Sequence, residues 1–201
     1  IASSPLPFGD NWHVPSAVSE ADMARITDAF VATAKRALRV GFDEIELHMA
    51  HGYLLHQFLS PLANRRDDAY GGAFDNRVRF PLEVFDAVRA VWPADRPLGV
   101  RVSATDWVEG GWVPEDAVEL ARRLKARGCD WLDVSSGGVS PAQRIPAPVP
   151  GIHVPFAREI RHATGIVTMA VGLITEPEHA DAIIAAGDAD MVALARAFLR
   201  D

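Results

Sequence analysis

Apolar positions between residues 19 and 41 recur at helical spacing. Met23, Ile26, Phe30, Val31, Ala34 and Leu38 fall on one stripe, Ser19 and Asp22 form a capping box ahead of it, and Gly41 closes it. Residues 1–18 have no such period, because Pro5, Pro7, Gly9 and Pro15 interrupt it; they read as a loop leading into this helix. Beyond Gly41 a unit repeats. Strands are expected over 43–49, 98–103, 131–136, 166–171 and 191–195. Helices are expected near 75–91, from Pro114 to Gly128, near 155–163, and from a cap at Thr175 and Glu178 to Gly187. Pro81 lies inside the second of these helices, which predicts a kink or a later start. Strands alternating with helices at this spacing predict a parallel α/β sheet.

The strands differ on their two faces. Glu44, Glu46 and His48 share one parity, as do Arg101 and Ser103, and Asp133 and Ser135; Ile45, Leu47, Val100, Val102, Leu132 and Val134 take the other. A doubly wound sheet, buried on both faces, favours nearly continuous aliphatic strands. A polar inner face with an apolar outer one suits a TIM-type (β/α)8 barrel, of which about five of eight strand–helix units are present in residues 1–201. The chain opens in a loop and stops just after a strand, so it reads as the larger part of a longer barrel lacking N-terminal strands and a last helix. Glu46 and Arg101 are expected to pair inside, since an unpaired buried charge is costly.

Composition narrows the functional classes. With 201 residues, 49% of them apolar, the chain can bury a sizeable core, and its net charge of −7 without a basic run argues against nucleic acid or an anionic membrane as partner. The single cysteine, Cys129, reads as a small buried residue and fits a reducing, cytoplasmic compartment. The longest apolar run, Ile166 to Ile174, is too short to span a bilayer, and residues 1–15 lack a basic-then-apolar leader.

Candidate chemistry concentrates in Ile45 to Pro61, which holds three of the seven histidines. On a continuous strand His48 and His51, three apart, would face opposite ways. If the strand ends near His48, both imidazoles can face one pocket, as donors to an oxygen gaining negative charge or as metal ligands. A metal-dependent hydrolase would add Glu46 or Asp133 as a ligand, but Arg101 would set a positive charge beside the cation. Gly172 and the Ala195–Arg196 pair follow the last two strands, where a barrel commonly holds a phosphate monoester.

The stretch ELHMAHGYLLHQFLSPLANRRDDAYGGAFDNRVRF closely resembles the signature of the old yellow enzyme family, the FMN-dependent ene-reductases, and especially its thermophilic-like, xenobiotic reductase branch. The likeness continues through LGVRVS, DWLDVSSGG, TMAVGLIT and ALARAFLRD, and so covers nearly the whole chain. It implies a TIM barrel that takes hydride from NAD(P)H onto FMN and reduces the C=C bond of an enone. By this resemblance His48 and His51 hold the substrate carbonyl, Tyr53 gives a proton to the α-carbon, and Arg101 stands beside the flavin. Gly172, Ala195 and Arg196 match the phosphate-binding positions, although the family usually has glycine where Ala195 stands. The implied partners are a small-molecule enone and further copies of the chain in a homo-oligomer. His56 is left outside the site, residues 64–72 are read as an ordered loop tied down by Asn76 and Arg77, and Trp107 and Trp112 as covers of the barrel end. One alternative is a catalytically incomplete barrel fragment that folds by pairing with itself or with a missing half.

Overall fold

The computed structural model describes residues 1–196, 198 and 199. Five strands, β1 (Ile45–Met49), β2 (Leu98–Ser103), β3 (Trp131–Ser135), β4 (Val167–Ala170) and β5 (Met191–Val192), form one parallel sheet in the order β1-β2-β3-β4-β5. Sequential order without reversal is how a (β/α) barrel winds; a doubly wound sheet reverses at a switch point. The helices are α1 (Glu20–Arg39), α2 (Leu54–Leu59), α3 (Phe74–Arg77), α4 (Arg79–Arg89), α5 (Pro114–Ala126), α6 (Val154–Thr164) and α7 (Pro177–Ala185).

The register places one polar row across the inner face. His48 lies opposite Arg101, Arg101 opposite Asp133, and Asp133 opposite Met169. One step toward the strand starts, Glu46, Gly99 and Trp131 are aligned. A Cβ on Gly99 would sit 2.2 Å from the Trp131 ring, so the indole lies across this floor and only glycine leaves it room. Outward-facing Leu47, Met49, Val100, Val102, Leu132, Val134 and Ala170 are buried in one cluster with Phe80 and Phe85 of α4, Leu120 and Leu124 of α5, and Ile160 of α6. Burying each large side chain contributes about 1.5–3 kcal/mol, which makes this layer the main support of the sheet.

The Ser19 capping box forms as read, with Asp22 returning to the Ser19 amide, and Gly41 follows the helix end at φ 89°. Other expectations need correction. The helix near 75–91 is two helices meeting at Val78; Pro81 is the third residue of α4, where an N–H has no partner to lose. Thr175 and Glu178 do not cap α7: its N-cap is Glu176, without a side-chain cap bond, and Thr175 Oγ1 instead donates to the Glu176 carboxylate. The last strand is only Met191–Val192, and a short helix over residues 54–59 stands between β1 and the helix expected near 75–91.

Residues 60–78 are fastened by their own side chains. Asn64 Nδ2 donates to the carbonyls of Phe58 and Tyr70, Asn76 to that of Gly71, and Arg77 to those of Leu59 and Gly72. Arg66 reaches back to the carbonyls of Ser3 and Val18, holding the N-terminal loop against this segment. Among the described residues no helix is long and apolar enough to cross a membrane.

Candidate active site

β1 ends at Met49, and the backbone then turns through His51 and Gly52, both left-handed at φ 58° and 75°. That conformation is uncommon for a histidine and needs outside support. The His51 amide donates to Ser103 Oγ at 3.0 Å, and the Ser103 hydroxyl donates in turn to the Gly137 carbonyl at 2.9 Å. The turn and the Gly137–Gly138 backbone are nearly in contact. A Cβ on Gly52 would lie 2.2 Å from the Gly138 carbonyl oxygen, and one on Gly138 would lie 2.5 Å from His51 Cα. Two glycines therefore let the β1 and β3 rims close on each other.

The turn brings the two imidazoles to one side, 5.2 Å between centroids, with the Tyr53 ring edge-on to His48 at 5.3 Å. Tyr53 is 65% exposed, its ring facing open space at the mouth. His51 Nε2 meets Ser135 Oγ at 2.7 Å. Burial, and then the Arg101 charge, depress both imidazoles, His51 to about 4. Both are neutral at pH 7.

Arg101 pairs with Asp133 (Nε to Oδ2 3.4 Å), not with Glu46 as expected. The register explains this: Asp133 is directly opposite Arg101, whereas Glu46 faces Gly99. Glu46 shares the inner face at the open β1 edge; partial loss of hydration and then the Asp133 charge push its carboxyl up to about 7. Desolvation lifts Asp133 to about 6 despite Arg101. Arg101 Nε and Asp133 Oδ1 are buried without a hydrogen bond, so the pair leaves polar capacity on the inner face.

The other end of the rim is made largely of backbone. Gly172 (φ 115°) and Leu173 (φ 54°) curve after β4, and the Gly151 amide donates to the Gly172 carbonyl at 2.8 Å. Gly172, Ala195, Arg196 and His153 line one cavity of about 490 Å³. His153 Nε2 lies 2.9 Å from Ser136 Oγ, which also accepts the Trp107 indole N–H at 2.7 Å.

All seven residues singled out by sequence thus lie along the strand ends, His48, His51 and Tyr53 together, Arg101 beside them, and Gly172, Ala195 and Arg196 at the far rim. Sequence reasoning put Ser103 and Ser135 on the inner face without seeing that they brace His51, and it missed His153. The parity of the two serines on polar strands was the available signal. Trp112 is buried and stacked on Phe74, a cover as expected, but Trp107 bonds into the rim through Ser136. Cys129 is buried and donates to the Trp131 carbonyl, with burial pushing its thiol up to about 12. Among the described residues no three His, Cys, Asp or Glu side chains cluster as metal ligands.

A family model described as NADH:flavin oxidoreductase / NADH oxidase matches residues 7–201. An NADPH dehydrogenase of Geobacillus sp. (strain WCH70) is 49% identical over all of this chain, and one of Halalkalibacterium halodurans 45%. The chain spans 58% of the length of each. Among solved structures, morphinone reductase in complex with tetrahydroNAD superposes with a TM-score of 0.78 at 30% identity, covering 98% of this chain and 56% of that one. Histamine dehydrogenase from Rhizobium sp. 4-9 gives 0.82 at 28%, covering 97% and 29%. FMN and NAD(P)H are the cofactors that this family and these relatives carry in their names. With the sequential parallel sheet and the matched segment together, the chain belongs to the NADH:flavin oxidoreductase / NADH oxidase family, the old yellow enzymes, and forms part of their TIM barrel.

Proposed function

We propose that residues 1–201 act as one partial-barrel domain of an FMN-dependent oxidoreductase that takes hydride from NAD(P)H and reduces the C=C bond of an α,β-unsaturated carbonyl compound. The observation that carries this reading is the neutral imidazole pair, 5.2 Å apart, at the open end of β1 beside Arg101.

The residues present fit a flavin phosphate. The inner face offers a guanidinium with an unspent Nε, and the far rim offers a glycine whose added Cβ would fall 2.8 Å from His153 Nδ1, so close approach there depends on its absence. Arg101 would hold the flavin ring system, and Gly172, Ala195 and Arg196 the phosphate. The methyl of Ala195 leaves its backbone N–H free to serve. The chemistry FMN supplies when bound is hydride transfer between a nicotinamide and an alkene carbon.

The protein's part is polarisation. Charge grows on the substrate oxygen as hydride reaches the β-carbon, and fixed donors stabilise it more in the transition state than in the ground state. Ser135 orients His51: with the hydroxyl proton on Nε2, the ring's own proton sits on Nδ1 and can donate to the oxygen. His48 supplies the second donor. Tyr53, exposed at the mouth and in contact with His48, gives the proton to the α-carbon. The buried, reduced Cys129 accords with a cytoplasmic setting.

The test is NADPH oxidation by the FMN-loaded protein with a cyclic enone. Enone-dependent turnover that disappears in His48→Ala and His51→Ala supports the reading. Turnover unchanged in both variants would sink it.

A further inference from the structure

The sequence reading leaves His56 outside the site. It is nevertheless fully buried in α2, as is its partner Asp106. The Gly52 amide donates to His56 Nδ1 at 2.9 Å. An amide N–H can only donate, so Nδ1 must present its lone pair, and the ring proton is left to Nε2. Nε2 lies 3.0 Å from Asp106 Oδ1 but off the N–H axis, an electrostatic pairing and not an aligned hydrogen bond. Asp106 is itself held: Oδ2 accepts from Ser60 Oγ at 2.6 Å and from the Trp112 amide at 2.7 Å. Two aligned donors fix the place of this carboxylate, and its free oxygen stands against His56 Nε2, which favours the ring proton on that nitrogen.

We infer that His56 is a positioning residue: clamped by Asp106, it accepts the Gly52 amide and holds the left-handed His51–Gly52 turn that brings His51 beside His48. Each neighbour of that turn makes a different bond. Ser103 takes the His51 amide, His56 takes the Gly52 amide, and Gln57 Nε2 donates to the Gly52 carbonyl at 2.8 Å. Without an acceptor at Nδ1 the Gly52 N–H would be left unpaired, and the turn would lose one of the bonds that offset its backbone strain. The effect on catalysis rests on the proposed function, because it is transmitted through His51.

The test compares His56→Asn, whose Oδ1 can stand where Nδ1 stands, with His56→Leu, which offers no acceptor. In His56→Leu the Gly52 amide should exchange with solvent at least ~10-fold faster, and enone turnover should fall about 10²-fold, in kcat more than in KM. In His56→Asn both should return to within roughly threefold of the unmodified protein. A folded His56→Leu with unchanged Gly52 exchange, or with unchanged turnover, overturns the inference. If His56→Leu does not fold, imidazole ¹⁵N shifts of the unmodified protein decide: an accepting Nδ1 and a protonated Nε2 support it, and the reverse tautomer overturns it. Absence of enone turnover in the unmodified protein would defeat the proposed substrate alone, leaving amide exchange and the ring shifts to judge the positioning role.

Discussion

The two ends of the strand rim are built in different ways. At the β1–β3 end the backbone is strained, but side chains from two strands and one helix grip it: Ser103, Ser135 and His56 each bond the His51–Gly52 turn or the His51 ring. At the β4–β5 end the strands are four and two residues long, and Gly172, Ala195 and Arg196 present backbone and one exposed cation. The difference matches two chemical demands. An oxygen that gains charge during reaction needs donors fixed in advance, whereas a phosphate that stays a dianion needs only backbone N–H groups and positive charge.

Substitutions at the two ends should therefore cost different things. Replacing His51 by alanine should lower enone turnover by about 10²–10³-fold while flavin still binds; comparable loss of flavin would merge the two ends into one. Gly52→Ala should lower stability by more than about 2 kcal/mol in chemical denaturation, because its Cβ meets backbone at 2.2 Å and its φ of 75° disfavours a side chain. Gly172→Ala meets a histidine side chain that can shift, at 2.8 Å, but its φ of 115° strains any side chain, so it should cost about 1–3 kcal/mol and also weaken flavin binding. Arg196→Gln should weaken FMN about tenfold and reduce the salt dependence of binding, with little change in kcat.

The smallest effect is in pH dependence, where opposing terms overlap. His51 is held at about 4, so the unfolded chain takes up its proton first. The stability gained by keeping it neutral is complete above the ordinary value of 6.5 and is lost as pH falls through 4. Asp133, lifted to about 6, and Glu46, to about 7, run the other way: their contributions are present below the ordinary carboxylate values and lost as pH rises through the folded ones. Asp133 offsets His51 proton for proton, and with Glu46 added these three groups make stability fall as pH rises between 4.5 and 6. Asp133→Asn removes one of the opposing groups, so its stability should fall less steeply with pH across that window than the unmodified protein's, as thermal melts in matched buffers would show.

How much of this was legible in the sequence follows from the range of the interactions. The Ser19 cap is a contact three residues apart, and the inner and outer faces of the strands are a property of alternation; both can be read along the chain. The position of Gly172, Ala195 and Arg196 on one rim follows from strand order. The braces were not legible, because His51 to Ser135 spans 84 residues and Ser60 to Asp106 spans 46. The Arg101 partner failed for the same reason: parity puts Glu46 and Asp133 on one face, but only the register says which stands opposite. His56 looked peripheral because its value lies in accepting one backbone amide.

The central claim is that His48 and His51 are fixed, neutral donors facing a flavin-bound site. It is tested most directly by a visible spectrum of the purified protein titrated with FMN and then with a para-substituted phenol. An electron-rich phenolate stacked on flavin, its oxygen held by the pair, gives a long-wavelength charge-transfer band. The account predicts that band in the unmodified protein, and its loss with flavin retained in His48→Ala and His51→Ala. A band of undiminished intensity in the variant lacking both histidines would contradict it.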